Sequence, residues 1–143
     1  MAVLAVSLAA VLGTLAGLHL YWAAGGAIGK GVAIPSRGGE RLFRPSRVAT
    51  LAVAAGLVVA ALCGIWLSPG SIAPMSPFLP RVGGIVLAVV FGLRAVGDHR
   101  YVGFFKRVRG TSFARWDTRL YSPLCLAISV GFTVLVWNSL KTR

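Results

Sequence analysis

A chain of 143 residues with a formal charge of +12, 57% hydrophobic residues and 13% charged ones lacks the polar surface that a soluble domain of this size needs. Its mean hydropathy of +0.80 points to a membrane protein instead. A pI near 11.6 would suggest nucleic acid for a soluble chain, but beside apolar spans Lys and Arg mark loops that face anionic phospholipid, so no nucleic-acid partner is expected.

The first charge-free run, residues 2–22, is long enough to cross the hydrocarbon core, which takes about 20 apolar residues in a helix. No basic segment precedes it, so it is expected to stay as a span rather than to be removed as a secretory leader. Residues 23–47 form a Gly-rich, polar loop around Pro35, expected to be irregular, with Lys30, Arg37, Arg41, Arg44 and Arg47. Its run Gly25-Gly26-Ala27-Ile28-Gly29-Lys30-Gly31 imitates a phosphate-binding loop but has the wrong glycine spacing and no hydroxyl after the lysine.

Ser46 is placed to cap the second span, residues 48–67, which stops before Ser68-Pro69-Gly70. Residues 71–80, with Pro74, Pro77 and Pro80, read as a stiff connector outside the membrane. The third span is residues 78–97, provided that Arg81 and Arg94 snorkel toward the two interfaces. A basic, aromatic loop fills residues 98–122, and Ser122-Pro123 reads as the N-cap and first turn of the fourth span, residues 123–140.

The fold class that follows is all-α: one integral membrane domain over residues 1–143, a four-transmembrane-helix bundle. Twelve of the 15 basic residues lie between residues 23 and 47 or between Arg94 and Arg119; Arg81, Lys141 and Arg143 are the other three. By the positive-inside rule the loops 23–47 and 98–122 are cytoplasmic and both termini lie outside, in a bacterial cytoplasmic (inner) membrane.

Small residues at four-residue spacing share a helical face and let backbones approach, which matters because lipid competes equally for apolar side chains. Ala5, Ala9, Gly13 and Gly17 form such a row in the first span, and Ala52, Gly56, Ala60 and Gly64 in the second. The third has Gly84, Ala88 and Gly92, and the fourth Ala127 and Gly131. Leucine at Gly56 or Gly92 is therefore expected to destabilise the bundle.

Only three acids are present, Glu40, Asp98 and Asp117, and they form no carboxylate pair, triad or other catalytic signature. Cys63 and Cys125 fall near opposite faces of the membrane, beyond disulfide reach, and no metal or other cofactor is expected.

One polar cluster stands out. His19, Arg94, Asp98, Asp117 and Arg119 should share the cytoplasmic layer, with Arg94 and Asp98 paired at i, i+4. A structural staple with an aromatic belt is one reading; a pocket in which His19 or Asp98 moves a proton is the other. Arg100, Lys106, Arg107, Arg109, Arg115 and Trp116 are expected to contact lipid headgroups.

The run GLRAVGDHRYVGFFKRVRGTSFARWDTRLYSPLCL at residues 92–126, with HLYWA at residues 19–23, resembles a family of small bacterial four-span membrane proteins of unknown function. The resemblance implies the same bundle and no activity. Two function classes remain: a lipid-contacting accessory or interaction module whose partners are anionic phospholipids, another membrane protein or further copies of itself; or a membrane-embedded binding protein or enzyme for a small hydrophobic, isoprenoid-like substrate, using His19, Arg94 and Asp98.

Overall fold

The computed structural model describes residues 1–37, 40–71 and 76–141, and the side chains of these except Arg37 and Arg41. Residues 72–75 of the Pro-rich connector and the basic Arg143 lie outside that range. In chain order the elements are α1 (Ala2–Ala23), α2 (Lys30–Ala33), β1 (Ser36–Arg37), β2 (Glu40–Arg41), α3 (Arg47–Trp66), α4 (Phe78–Val96), α5 (Ser112–Trp116), a π-helical turn (Asp117–Tyr121) and α6 (Ser122–Lys141).

Among the described residues four helices are long and apolar enough to cross a membrane, and the chain is a multi-pass membrane protein. Hydrocarbon offers backbone groups no hydrogen-bond partner, so uninterrupted apolar runs must satisfy them internally, as helices do. Large apolar side chains such as Val58, Val59, Val89 and Val90 remain exposed on the outer faces, as lipid contact requires.

α1 packs along α3 and α4 along α6, with narrower contacts between α3 and α4 and between α1 and α6. The shared core is formed by Leu8 and Leu12 of α1, Leu57 and Ala60 of α3, and Ile128, Phe132 and Leu135 of α6.

The rows of small residues meet different fates. On α4 the row is correct: a Cβ at Gly84 would lie 2.6 Å from Val136 Cγ2, and one at Gly92 would lie 3.1 Å from Ser129 Oγ. Gly131 likewise faces Leu8. On α1 the buried stripe is Ala5, Leu8, Leu12 and Ala16, while Gly13 and Gly17 look outward into open space. Gly56 also faces open space, so the close approach on which the Gly56→Leu expectation rested is not made. The i, i+4 rule marks a face without saying which face meets protein.

Two loop expectations change. Loop 23–47 is not irregular throughout. Trp22 Nε1 donates to Ile28 O (2.7 Å) and Lys30 Nζ to Trp22 O (3.0 Å), which folds α2 back beneath α1. β1 and β2 then pair antiparallel, with Ser36 opposite Arg41.

The fourth helix does not start at Ser122-Pro123. It is capped eleven residues earlier by Thr111, whose Oγ1 accepts from Ala114 N at 3.0 Å. Pro123 cannot donate a backbone hydrogen bond, and a helix continued through it must adjust its ladder. Here the preceding turn widens, and Ser122 N–H donates five residues back to Asp117 O. Ser46 does cap α3, its Oγ accepting from Ala49 N at 3.1 Å.

Candidate functional site

At the end of α4 where Arg94 sits, the chain reverses at Gly97, whose φ of 88° suits glycine. Gly103, with φ of 89°, packs directly against it: a Cβ on Gly97 would overlap Val102 O, and one on Gly103 would overlap Val96 O. Phe104 N–H then donates to Ala95 O (2.9 Å), so the basic loop folds back onto the helix it leaves.

Asp98 organises this reversal. Its Oδ1 accepts from the backbone N–H groups of Arg100 (2.9 Å), Tyr101 (2.7 Å) and Val102 (2.9 Å). Desolvation pushes the Asp98 carboxyl up, but the Val102, Tyr101 and Arg100 N–H groups together outweigh it and hold the carboxyl below its ordinary value.

Asp117, in the π-helical turn, is fully buried. Its Oδ1 accepts from Arg94 Nη2 at 2.9 Å. Its Oδ2 accepts from Gly103 N (2.8 Å), Lys106 Nζ (2.9 Å) and Ser122 Oγ (3.2 Å). Lys106, itself 2% exposed, also donates to Gly103 O. One carboxylate therefore ties α4, the loop, the π turn and α6 together, and both of its oxygens are occupied. Arg94 Nη1 is buried and has no hydrogen-bond partner among the described residues.

The pairing expected from sequence is thus replaced. Arg94 bonds to Asp117, not Asp98, because Gly97 ends the helix before Asp98 can take the i, i+4 position. Lys106 is not at a headgroup position; it is the buried counter-ion of Asp117. Arg119 is exposed and, with Arg115 and Trp116, lines a shallow hollow of about 150 Å³.

Of the other expected headgroup residues, Arg100 is exposed with its guanidinium 5.3 Å from the Tyr101 ring. Arg107 is exposed, Arg109 Nε donates to Lys106 O (3.3 Å), and Arg115 Nη2 donates to Ser112 Oγ (3.2 Å). Cys63, whose Sγ donates to Pro80 O (3.3 Å), and Cys125 are both free thiols.

His19 is half-buried. Its Nδ1 is 2.8 Å from Leu15 O, an acceptor only, so Nδ1 carries a proton and Nε2 is left for another partner. The ring meets Trp22 edge-on at 5.1 Å.

His19 and Arg94 together line a cleft of about 480 Å³ with Trp22, Lys30, Phe43 and Val53 among its walls. An adjoining space of about 290 Å³ is lined by Lys30, Arg44 and Arg47, and the two share Trp22, Lys30, Ile34, Pro45 and Thr50. No carboxylate lines either space. His19 and Arg94 thus come together; Asp98 does not join them.

Residues 12–132 match the family described as Protein of unknown function (DUF3995). The chain belongs to that family. No curated protein and no solved structure matches it. The part of this DUF3995 chain that matches holds every residue of the Asp117 cluster and of the cleft. Among the described residues, no group of three or more His, Cys, Asp or Glu is placed to hold a metal ion.

Sequence reasoning missed the roles of Lys106, Gly97, Gly103 and Ser122. A signal existed for the glycines: two of them flank a run that follows a helix-ending Gly-Asp pair, as a tight reversal needs. Nothing local distinguishes Lys106 from the exposed Arg107 beside it.

Proposed function

We propose that this protein is a non-catalytic module of a bacterial cytoplasmic membrane, contacting anionic phospholipid through its basic end. Loops 23–47 and 98–122 face the cytoplasm and both termini lie outside. The observation that carries the non-catalytic reading is the structural commitment of Asp98 and Asp117, the two acids of loop 98–122. Asp117 is buried and accepts four hydrogen bonds, and Asp98 Oδ1 accepts three from the backbone, so both carboxylates are committed to holding the loop in place.

The cations Arg100, Arg107 and Arg115 around this closed cluster are exposed and can meet lipid phosphates, with Trp116 (48% exposed) at interfacial depth. Native mass spectrometry of the protein gently extracted from its own membrane tests the reading. Anionic phospholipid should be enriched over zwitterionic lipid in the retained set. A defined non-phospholipid molecule at fixed stoichiometry would instead establish a substrate-binding protein.

A further inference from the structure

We propose that the cleft between the basic ends of α1, α3 and α4 is a stoichiometric site for a single acidic phospholipid. This rests on the lipid-contact reading and gives it one position and one ligand class.

Charge supplies the first argument. The two joined spaces are lined by Lys30, Arg44, Arg47 and Arg94, with His19 as a fifth nitrogen base and no acid among them. Among the described residues Lys30, Arg44 and Arg47 have no acid partner, and such cations in a partly enclosed, low-dielectric space attract an anion far more than the same cations spread over a surface. Arg94 enters this space already bonded to Asp117 through Nη2, while its Nη1 is buried and unpartnered. Guanidinium and ammonium groups favour phosphate oxygens for the strength of the charge-assisted bond.

The apolar wall supplies the second. Arg47 and Val53 both line this region, six residues apart on a helix that crosses the membrane, which puts Val53 about 9 Å deeper. Arg47 therefore stands toward the interface and Ala49 and Val53 progressively deeper along the wall. That gradient matches an amphiphile whose phosphate sits at the interface and whose chain runs into hydrocarbon. A free inorganic anion would have no use for the apolar wall. The larger space, about 480 Å³, falls within the roughly 300–1,000 Å³ of ordinary ligand pockets.

Delipidated full-length protein in detergent is titrated with phosphatidylglycerol, phosphatidylcholine or inorganic phosphate and read by native mass spectrometry. Wild type should retain one phosphatidylglycerol. K30Q/R47Q should lower that occupancy at least about tenfold, as losing two charge-assisted contacts requires. K141Q/R143Q removes the same charge from the C-terminal tail and should not. Ala49→Trp fills the cleft with every charge in place and should also abolish retention, which keeps the test decisive should K30Q/R47Q fold poorly.

Equal loss from both charge pairs, or retention in Ala49→Trp, would overturn the site while leaving general lipid contact standing. Inorganic phosphate binding as well as the lipid would overturn the lipid assignment. No preference for phosphatidylglycerol over phosphatidylcholine would overturn both readings.

Discussion

Asp117 is the residue on which the basic end of the molecule depends. A carboxylate with no solvent exposure is tolerated only when paired and hydrogen-bonded, and here four donors converge on it. Lys106 is equally committed: its side chain is 1% exposed and its ammonium is shared between Asp117 and Gly103 O. Asp117→Ala leaves that ammonium buried without its counter-ion and should cost on the order of 3–5 kcal/mol. Reversible unfolding in mixed micelles measures it. Asp98→Ala should cost clearly less, because the N–H groups it releases can turn to water. Adding Lys106→Met to Asp117→Ala should recover part of the loss by removing the stranded charge. If the two Asp variants prove equally stable, Asp117 is no staple.

Helices and loops were legible to different degrees, for physical reasons. The four spans follow from the cost of placing polar groups in hydrocarbon, a strong and local constraint, so apolar runs located the first three closely, while the fourth helix begins eleven residues before its expected start. Which side of each helix faces protein is not local. Lipid and core are equally apolar, so nothing in the α1 or α3 sequence separates Gly13 or Gly56 from a buried glycine. Only the partner helix decides, and at Gly84 the partners are Val136 and Leu67. Gly84→Leu should therefore lower the melting temperature in detergent through overpacking of about 1–3 kcal/mol. Gly56→Leu, pointing into open space, should leave it unchanged or slightly raised. The reverse order would mean that α3 packs through its other face.

At the scale of the whole molecule the basic residues divide by structural role as well as by side. The shared layer expected for His19, Arg94 and Asp117 was legible, since it follows from counting spans and the direction of each. The partners within that layer were not. Whether Arg94 reaches Asp98 or Asp117 depends on where α4 stops and on the extra residue in the π turn, and neither is set by spacing alone. Lys106, buried beside Asp117, is hidden from any headgroup, whereas most other cations of loops 23–47 and 98–122 remain on the surface. The positive-inside bias should therefore survive the loss of Lys106 as an exposed charge, because one cation out of twelve on that side leaves the asymmetry large. The proposed orientation puts both termini outside, so a C-terminal alkaline phosphatase fusion should be active and the matching green fluorescent protein fusion dark. Moving the reporters into loop 98–122 should reverse both signals. A fluorescent C-terminal fusion would place the basic loops outside, and the lipid site would then have to draw on the outer leaflet.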